Sequence, residues 1–254
     1  MDDDSLLGLL HDTVDAVKGA LGALDDWDLA GTRAGQYRSD LAADAAALAV
    51  LDRAGVGVLS EESGRHRADA DLTVVIDPVD GSTNASRGIP WYATSLCAVD
   101  ADGPRAALVV NLATGDEFEA VRGGGARRNG QAMAPTKATT LGRSMVALSG
   151  LPPRHLGWYQ FRALGAAALD LCAVASGTLD GYIDCLPSAH GSWDYLGGLL
   201  VCLEAGASMA DAEGRDLVVL EHEARRTPVA AATPALLTEL LAARRDGFSD
   251  GSAP

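Results

Sequence analysis

The sequence predicts a mixed α/β fold, on three observations. Residues 72–76 form an apolar, β-branched run that reads as an interior strand, and it leads directly into Asp77-Pro78-Val79-Asp80-Gly81-Ser82-Thr83-Asn84. Residues 91–99, 105–112 and 117–121 alternate in polarity or are rich in β-branched side chains. Turn residues at 102–104 and 114–115 separate them, which is the pattern of an antiparallel meander. Segments 6–24, 39–53, 166–175 and 193–205 instead repeat apolar side chains at helical spacing.

In chain order, the helix predicted over 6–24 is followed by an acidic, loop-like segment at 25–37. Ser39 can cap a second helix whose apolar stripe is Leu41, Ala45, Leu48 and Leu51. Asp40 is then a first-turn aspartate that complements the macrodipole, whereas Asp44, three residues after Leu41 and four before Leu48, points along the apolar stripe and needs a partner. Residues 56–59 read as a short strand ending in Ser60-Glu61-Glu62-Ser63-Gly64, a second strand that ends in acids. In the central motif Pro78 has no N–H for a ladder, so the strand is expected to stop there. Gly81 then permits a tight turn into a helix start at 82–84.

Gly123-Gly124-Gly125 lacks the lysine and spacing of a nucleotide loop and reads as a flexible turn; Arg127-Arg128-Asn129-Gly130 reads as a hairpin turn. The polar stretch 135–143 divides this half from a second in which 145–148 is a strand, 166–175 an apolar helix and 179–185 a strand. Ser192 can cap the helix over 193–205 with Asp194 in its first turn, a last helix falls near 235–243, and the tail 244–254 is expected to fray. The expected organisation is one domain over 1–254, with lobes at about 1–140 and 141–245.

Composition narrows the function. The chain has 254 residues, 48% of them apolar, enough for a substantial core. Its 35 acidic against 20 basic residues give a net charge of −15, which argues against binding nucleic-acid polymers or membrane surfaces. Cys97, Cys172, Cys185 and Cys202 are widely spaced in apolar surroundings without a C-x-x-C pair, the pattern of buried free thiols in a reducing cytoplasm. No basic region precedes an apolar core at the N-terminus, and no uninterrupted apolar stretch reaches about 18 residues.

The chemistry concentrates where strands end in carboxylates. Unpaired N–H groups at a helix start receive phosphate oxygens, but the acids of 77–80 would repel the same anion. The two features are compatible when hard divalent cations sit between them, with Mg²⁺ the first choice for all-oxygen donors.

Three segments carry a resemblance: Leu59-Ser60-Glu61-Glu62-Ser63, then Asp77 to Asn84, then Trp193-Asp194-Tyr195-Leu196-Gly197-Gly198 with Glu204-Ala205-Gly206. In this order they resemble the signatures of the inositol monophosphatase family, and Arg162-Ala163-Leu164-Gly165 is similar to its substrate-side segment. The resemblance implies a layered α-β-α-β-α sandwich of the inositol monophosphatase/fructose-1,6-bisphosphatase type. It also implies two or three Mg²⁺ ions, hydrolysis of a small phosphate monoester by an activated water, lithium inhibition and a homodimer. Carried over residue by residue, the metal ligands are Glu61, Asp77, Asp80, Asp194 and the Val79 carbonyl, with Glu62 in support. A helix aspartate and a hydroxyl orient the water; these match Asp44, with Asp40 as the fallback, and Ser82. Gly81, Ser82 and Thr83 hold the phosphate, and Gly165 lies on the substrate side. Asp184 matches the family's polyol-binding acid only if about three residues are inserted before the Trp-Asp motif; its other reading is a plain strand end. His190, in the same loop, reads as a surface imidazole. Histidinol phosphate, fructose 1,6-bisphosphate, nucleotide 3′-phosphates and NADP remain alternative substrates, and a non-catalytic metal-binding regulator is a third reading.

Overall fold

The computed structural model describes residues 1–32 and 35–248. In chain order the elements are α1 (Asp3–Gly22), α2 (Arg38–Ala54), β1 (Gly57–Ser60), β2 (Gly64–His66), β3 (Thr73–Asp80), α3 (Ser82–Ser86), β4 (Ala93–Asp100), β5 (Gly103–Asn111), β6 (Glu117–Val121), β7 (Gly125–Arg128) and β8 (Gln131–Ala132). After a short 3₁₀ turn at Leu141–Arg143 follow β9 (Met145–Ser149), β10 (Gln160–Arg162), α4 (Ala167–Ala175), β11 (Gly181–Asp184), α5 (Ser192–Ala205), β12 (Ser208–Asp211), β13 (Pro228–Ala231) and α6 (Pro234–Phe248).

The strands form two sheets, ordered β2-β1-β3-β4-β5-β6-β7-β8 and β10-β9-β11-β13-β12. Period-two alternation sends side chains of β3 to opposite faces of the large sheet. Val74 and Ile76 pack with Leu6, Leu10, Val14 and Val17 of α1 and with Ala43, Ala47 and Leu51 of α2. Val75 faces the other way, into a core with Leu171 of α4 and Leu196 and Leu200 of α5, which also takes Ala147, Tyr182 and Ala230 from the small sheet. The small sheet's outer face, with Val146, Ile183 and Val229, packs on Leu236 and Leu240 of α6. Three cores separated by two sheets give the five layers α-β-α-β-α that the resemblance implies. All four cysteines are buried and free.

Several local expectations are corrected. Strand β3 does not stop at Pro78: it runs to Asp80, with a register shift against β4 between Asp77 and Asp80. Pro78 is accommodated at this bulge, where its missing N–H leaves no ladder bond unmade. Helix α2 starts before Ser39, with Tyr37 at the cap position and its N–H donating to Asp40 Oδ2 at 2.9 Å. Gly191, not Ser192, precedes α5, and its N–H donates to Asp194 Oδ2 at 2.7 Å. The Gly123–Gly125 turn is tied down, because its Gly123 and Gly125 N–H groups donate to the Glu204 carboxylate at 2.8 and 2.9 Å. Helix α6 continues to Phe248, beyond the expected frayed boundary at 244; Arg244 is buried there, with its Nε donating to the Asp184 carbonyl at 2.7 Å. The remainder of the expected tail, 249–254, lies outside the described residues.

Candidate active site

The site forms where β1, β3 and α5 end at the same level. Parallel pairing of β1 with β3 aligns Ser60 with Ile76, so Glu61 and Asp77, each the next residue, emerge side by side. Helix α5 starts on the opposite side of the sheet and delivers Asp194 in its first turn. Glu61, Asp77 and Asp194 each offer an oxygen lying within 4.8 Å of the others, the arrangement of a cation site. Asp80 lies beside them, fully engaged by structure on one oxygen: its Oδ2 accepts from the Ala168 N–H at 2.7 Å, at the start of α4.

Without a counter-cation Glu61, Asp77 and Asp80 resist ionisation. Burial, followed by the charges of Asp194, Glu62, Asp40 and Asp80, lifts Glu61 to about 8. Burial, then Asp194, lifts Asp80 to about 7 against the opposing bond from Ala168. Asp77 is pushed well above the usual carboxylate range by burial and by Glu61, Asp80 and Asp194. Its Oδ1 still accepts from the Val79 N–H at 3.0 Å, fixing the backbone on which the Val79 carbonyl rides.

Gly81 turns β3 into α3 with φ +85°, a conformation that L side chains rarely adopt. A Cβ there would lie 3.1 Å from Ala166 Cβ and from the carbonyls of Gly165 and Trp91. Asn84 fastens the same junction, its Nδ2 donating to the Trp91 and Leu164 carbonyls at 2.7 Å each. Gly165, also at positive φ, passes close to the Asn84 side chain. Ser82 and Thr83 occupy the first turn of α3, where helix N–H groups lack intrahelical acceptors.

The two candidate water-orienting aspartates part company. Asp44 is buried one turn into α2 and its Oδ1 accepts from Ser60 Oγ at 2.5 Å, beneath the strand end. No hydrogen bond joins it to Ser82 among the described residues. Asp40 instead lines a cavity of about 280 Å³ together with Gly35, Glu61, Glu62, Ser82, Trp193, His222 and Arg225. The structure thus places Asp40, and not Asp44, in the cavity with Ser82. Gln36 Nε2 donates to Glu62 on the same side.

A second cavity, about 240 Å³, shares no lining residue with the first and is lined by Asp80, Leu148, Ser149, Gly150, Ala163, Gly165, Ala166, Ala167, Asp170 and His190. Asp184 is not in its wall. The Asp184 carboxylate is fully buried at the end of β11, with Oδ1 accepting from the Leu186 N–H at 2.8 Å. His190 stands nearby, its Nε2 3.7 Å from Asp184 Oδ2. Of the two, His190 lines this cavity and Asp184 does not.

His190 is also no surface side chain. Its Nδ1 lies 3.2 Å from Asp194 Oδ2, and its Nε2 lies 3.0 Å from Tyr182 Oη and 3.2 Å from Ser149 Oγ. Burial opposes its charge, but the Asp194 bond and charge, then Asp184 and Asp80, raise it to about 9. Asp170, Ser149, His222 and Arg225 carried no sequence signal. Asp170 sits inside an apolar helical run, and the other three come from loops or strand ends that only the tertiary fold brings near the cluster. Arg225 is stacked over Trp193 at 5.0 Å from the ring centroid.

Comparisons with known proteins agree with this geometry. The model of the inositol monophosphatase family matches residues 38–247. The chain is 36% identical over 183 residues to the fructose-1,6-bisphosphatase/inositol-1-monophosphatase of Archaeoglobus fulgidus, covering 70% of this chain and 71% of that one. It is 31% identical over 209 residues to Nus factor SuhB of Escherichia coli, covering 76% and 75%. Among solved structures, the extragenic suppressor from Pyrococcus furiosus superposes with a TM-score of 0.82 at 27% identity, over 93% of this chain and 99% of that one.

Proposed function

The chain belongs to the inositol monophosphatase family, and from that premise we propose that it is a Mg²⁺-dependent phosphatase of small phosphate monoesters. The observation that carries the reading is the convergence of Glu61, Asp77 and Asp194 oxygens within 4.8 Å. The Glu61 and Asp77 carboxyls, lifted by burial and by the neighbouring acids, fit a divalent cation that would restore them to the ionised form. The donor set is all oxygen, which suits Mg²⁺ better than zinc. Glu61, Asp77, Asp80, Asp194 and the Val79 carbonyl would hold two or three ions. When bound, such ions lower the pKa of a water and neutralise charge on the phosphoryl and leaving oxygens.

The chain's own groups supply the rest. Asp40 and Ser82 line the same cavity as Glu61, and together they orient the attacking water, the carboxylate accepting its proton and the hydroxyl fixing its lone pairs. The N–H groups of Gly81, Ser82 and Thr83 receive phosphate oxygens, and the close approach at Gly81 and Gly165 keeps that wall free of side chains. The second cavity then takes the alcohol half of the ester. In-line attack needs the nucleophile and the leaving group on opposite sides of the phosphorus, and two cavities flanking one carboxylate cluster suit that requirement.

The Archaeoglobus relative's name pairs fructose 1,6-bisphosphate with inositol 1-phosphate, so sugar and polyol phosphates head the substrate list. We take the chain to act as a single-domain homodimer in the cytoplasm, consistent with its four buried free thiols. A second reading, a non-catalytic regulator, draws on the similarity to Nus factor SuhB. Phosphate release from inositol, histidinol, sugar and nucleotide phosphates, with Mg²⁺ and with excess chelator, separates the two. Turnover that needs Mg²⁺ and is inhibited by lithium is expected; no turnover on any member of the panel would favour the regulator.

A further inference from the structure

The cavity on the leaving-group side is small, below the roughly 300–1,000 Å³ typical of drug-sized ligands, and among its lining residues no aromatic ring other than His190 offers a face for a nucleobase. Most of its wall is alanine, glycine and leucine. Against that wall stand two hydrogen-bonding groups outside the carboxylate cluster and the imidazole. Asp170, on α4, is only 2% exposed. Its Oδ1 accepts from Trp91 Nε1 at 3.0 Å, and its Oδ2 has no protein partner among the described residues. The other is Ser149 at the end of β9, whose Oγ lies 3.2 Å from His190 Nε2. The Asp194 carboxylate facing His190 Nδ1 calls for a hydrogen on that nitrogen, so the ring is fixed in place and Ser149 is held with it.

A buried carboxyl with one oxygen committed and the other turned to a cavity is an unpaired polar group awaiting a partner. Trp91 alone does not account for it, since an indole N–H occupies a single acceptor. We propose that Asp170 and Ser149 are specificity-determining residues that hydrogen-bond hydroxyls of the leaving alcohol, selecting a compact polyhydroxylated phosphate over a hydroxyl-free one. This rests on the phosphatase reading above. Burial holds the Asp170 carboxyl well above the usual range despite the Trp91 bond; its second oxygen accepts from a substrate hydroxyl when ionised and donates to one when protonated, while Ser149 can donate or accept. Asp170→Asn preserves both an acceptor for Trp91 and a donor towards the cavity; Asp170→Ala preserves neither.

The test compares kcat/KM on inositol 1-phosphate with kcat/KM on p-nitrophenyl phosphate, which has no hydroxyl. In Ser149→Ala and Asp170→Ala the ratio of the two should fall on the order of tenfold each, mostly through KM for inositol 1-phosphate, and Asp170→Asn should restore most of it. Equal losses on both substrates, or an unchanged ratio, would overturn the proposal and leave Asp170 a support for Trp91 only. Ser149→Ala decides the matter if Asp170→Ala does not fold. A parent inactive on both substrates with Mg²⁺ present would sink the phosphatase reading instead. The pocket is then judged by thermal shift with free inositol: stabilisation of the parent but not of Ser149→Ala supports it, and no stabilisation of the parent overturns it.

Discussion

The two cavities flanking the carboxylate cluster are built in different ways. The wall of Asp40, Glu61, Glu62 and Ser82 comes from short stretches on α2, α3 and the end of β1, each a few residues from a strand or helix terminus. The other wall draws Ser149 from the small sheet, Asp170 from the helical layer and His190 from the loop before α5. Local motifs supply those four residues of the first, which tertiary packing completes with Trp193, His222 and Arg225, whereas only packing of the second sheet creates the other. The first wall should therefore govern the chemical step, and the second the choice of alcohol.

The sharpest break of that comparison is at the cluster itself. Removing metal with excess chelator, or changing Asp77→Asn, should abolish measurable turnover on every substrate alike, a loss of about 10³-fold or more. A loss confined to one substrate would mean that the cluster contributes to specificity rather than to the common step.

Next in size is the contrast between Asp40 and Asp44. Asp40→Asn should lower kcat by about 10²–10³-fold with little change in Mg²⁺ affinity, as expected for a group that positions or deprotonates water. Asp44→Asn, beneath Ser60, should leave kcat within a few-fold and lower the melting temperature instead. Kinetics and melts on the two variants check this, and reversed results would return the water-orienting role to Asp44. Ser82→Ala should follow Asp40→Asn in kcat.

These aspartates also mark how far the sequence could be read. The helices and the meander were legible from helical periodicity and alternation, Glu61, Asp77 and Asp80 drew notice as strand ends rich in acids, and Asp194 was singled out only through the family resemblance, its local pattern being that of an ordinary first-turn aspartate. Asp40 and Asp44 share one helical face because they are four residues apart. Periodicity favours Asp44 for its place along the apolar stripe, but it cannot say which of the two reaches the cavity. The choice depends on where α2 sits along the sheet, a matter of one turn or about 5.4 Å, and that is set by the packing of α1 and α2 on β3. His190 was misjudged for a related reason: a loop polar in sequence folds inward when Asp194, Asp184, Tyr182 and Ser149 converge on it. Asp170 was hidden because one acid in an otherwise apolar helix barely disturbs the periodicity.

A smaller effect is expected at the junction between the walls. Gly81→Ala forces a side chain into positive φ and against Ala166 and two carbonyls at 3.1 Å. It should destabilise by about 1–3 kcal/mol and impair catalysis by shifting the N–H groups that receive phosphate. Denaturant melts measure the first effect. A variant as stable as the parent would show that the turn relaxes without loss.

The most direct measure of how much repulsion the cluster imposes is the pH dependence of metal-free stability. Glu61 is lifted from 4.5 to about 8, so between those values the folded chain retains a proton that the unfolded chain has released. Stability then falls as pH rises through this window, and the penalty is complete above about 8. His190, raised from 6.5 to about 9, acts in the same direction: its contribution is fully present below 6.5 and is lost as pH rises through about 9. Melts in chelator should therefore show a declining melting temperature from pH 5 to pH 8. Saturating Mg²⁺ should remove or invert the decline, because the ion binds the ionised acids of the folded state. Asp80→Asn deletes a carboxyl lifted from 3.8 to about 7 while keeping an oxygen to accept from the Ala168 N–H. Its metal-free melting temperature at pH 8 should equal or exceed the parent's, its decline with pH should be shallower, and its Mg²⁺-induced shift smaller. A variant much less stable at pH 8 would mean that the bond to Ala168 outweighs charge repulsion, and Asp80 would then be an anchor for α4 before it is a metal ligand.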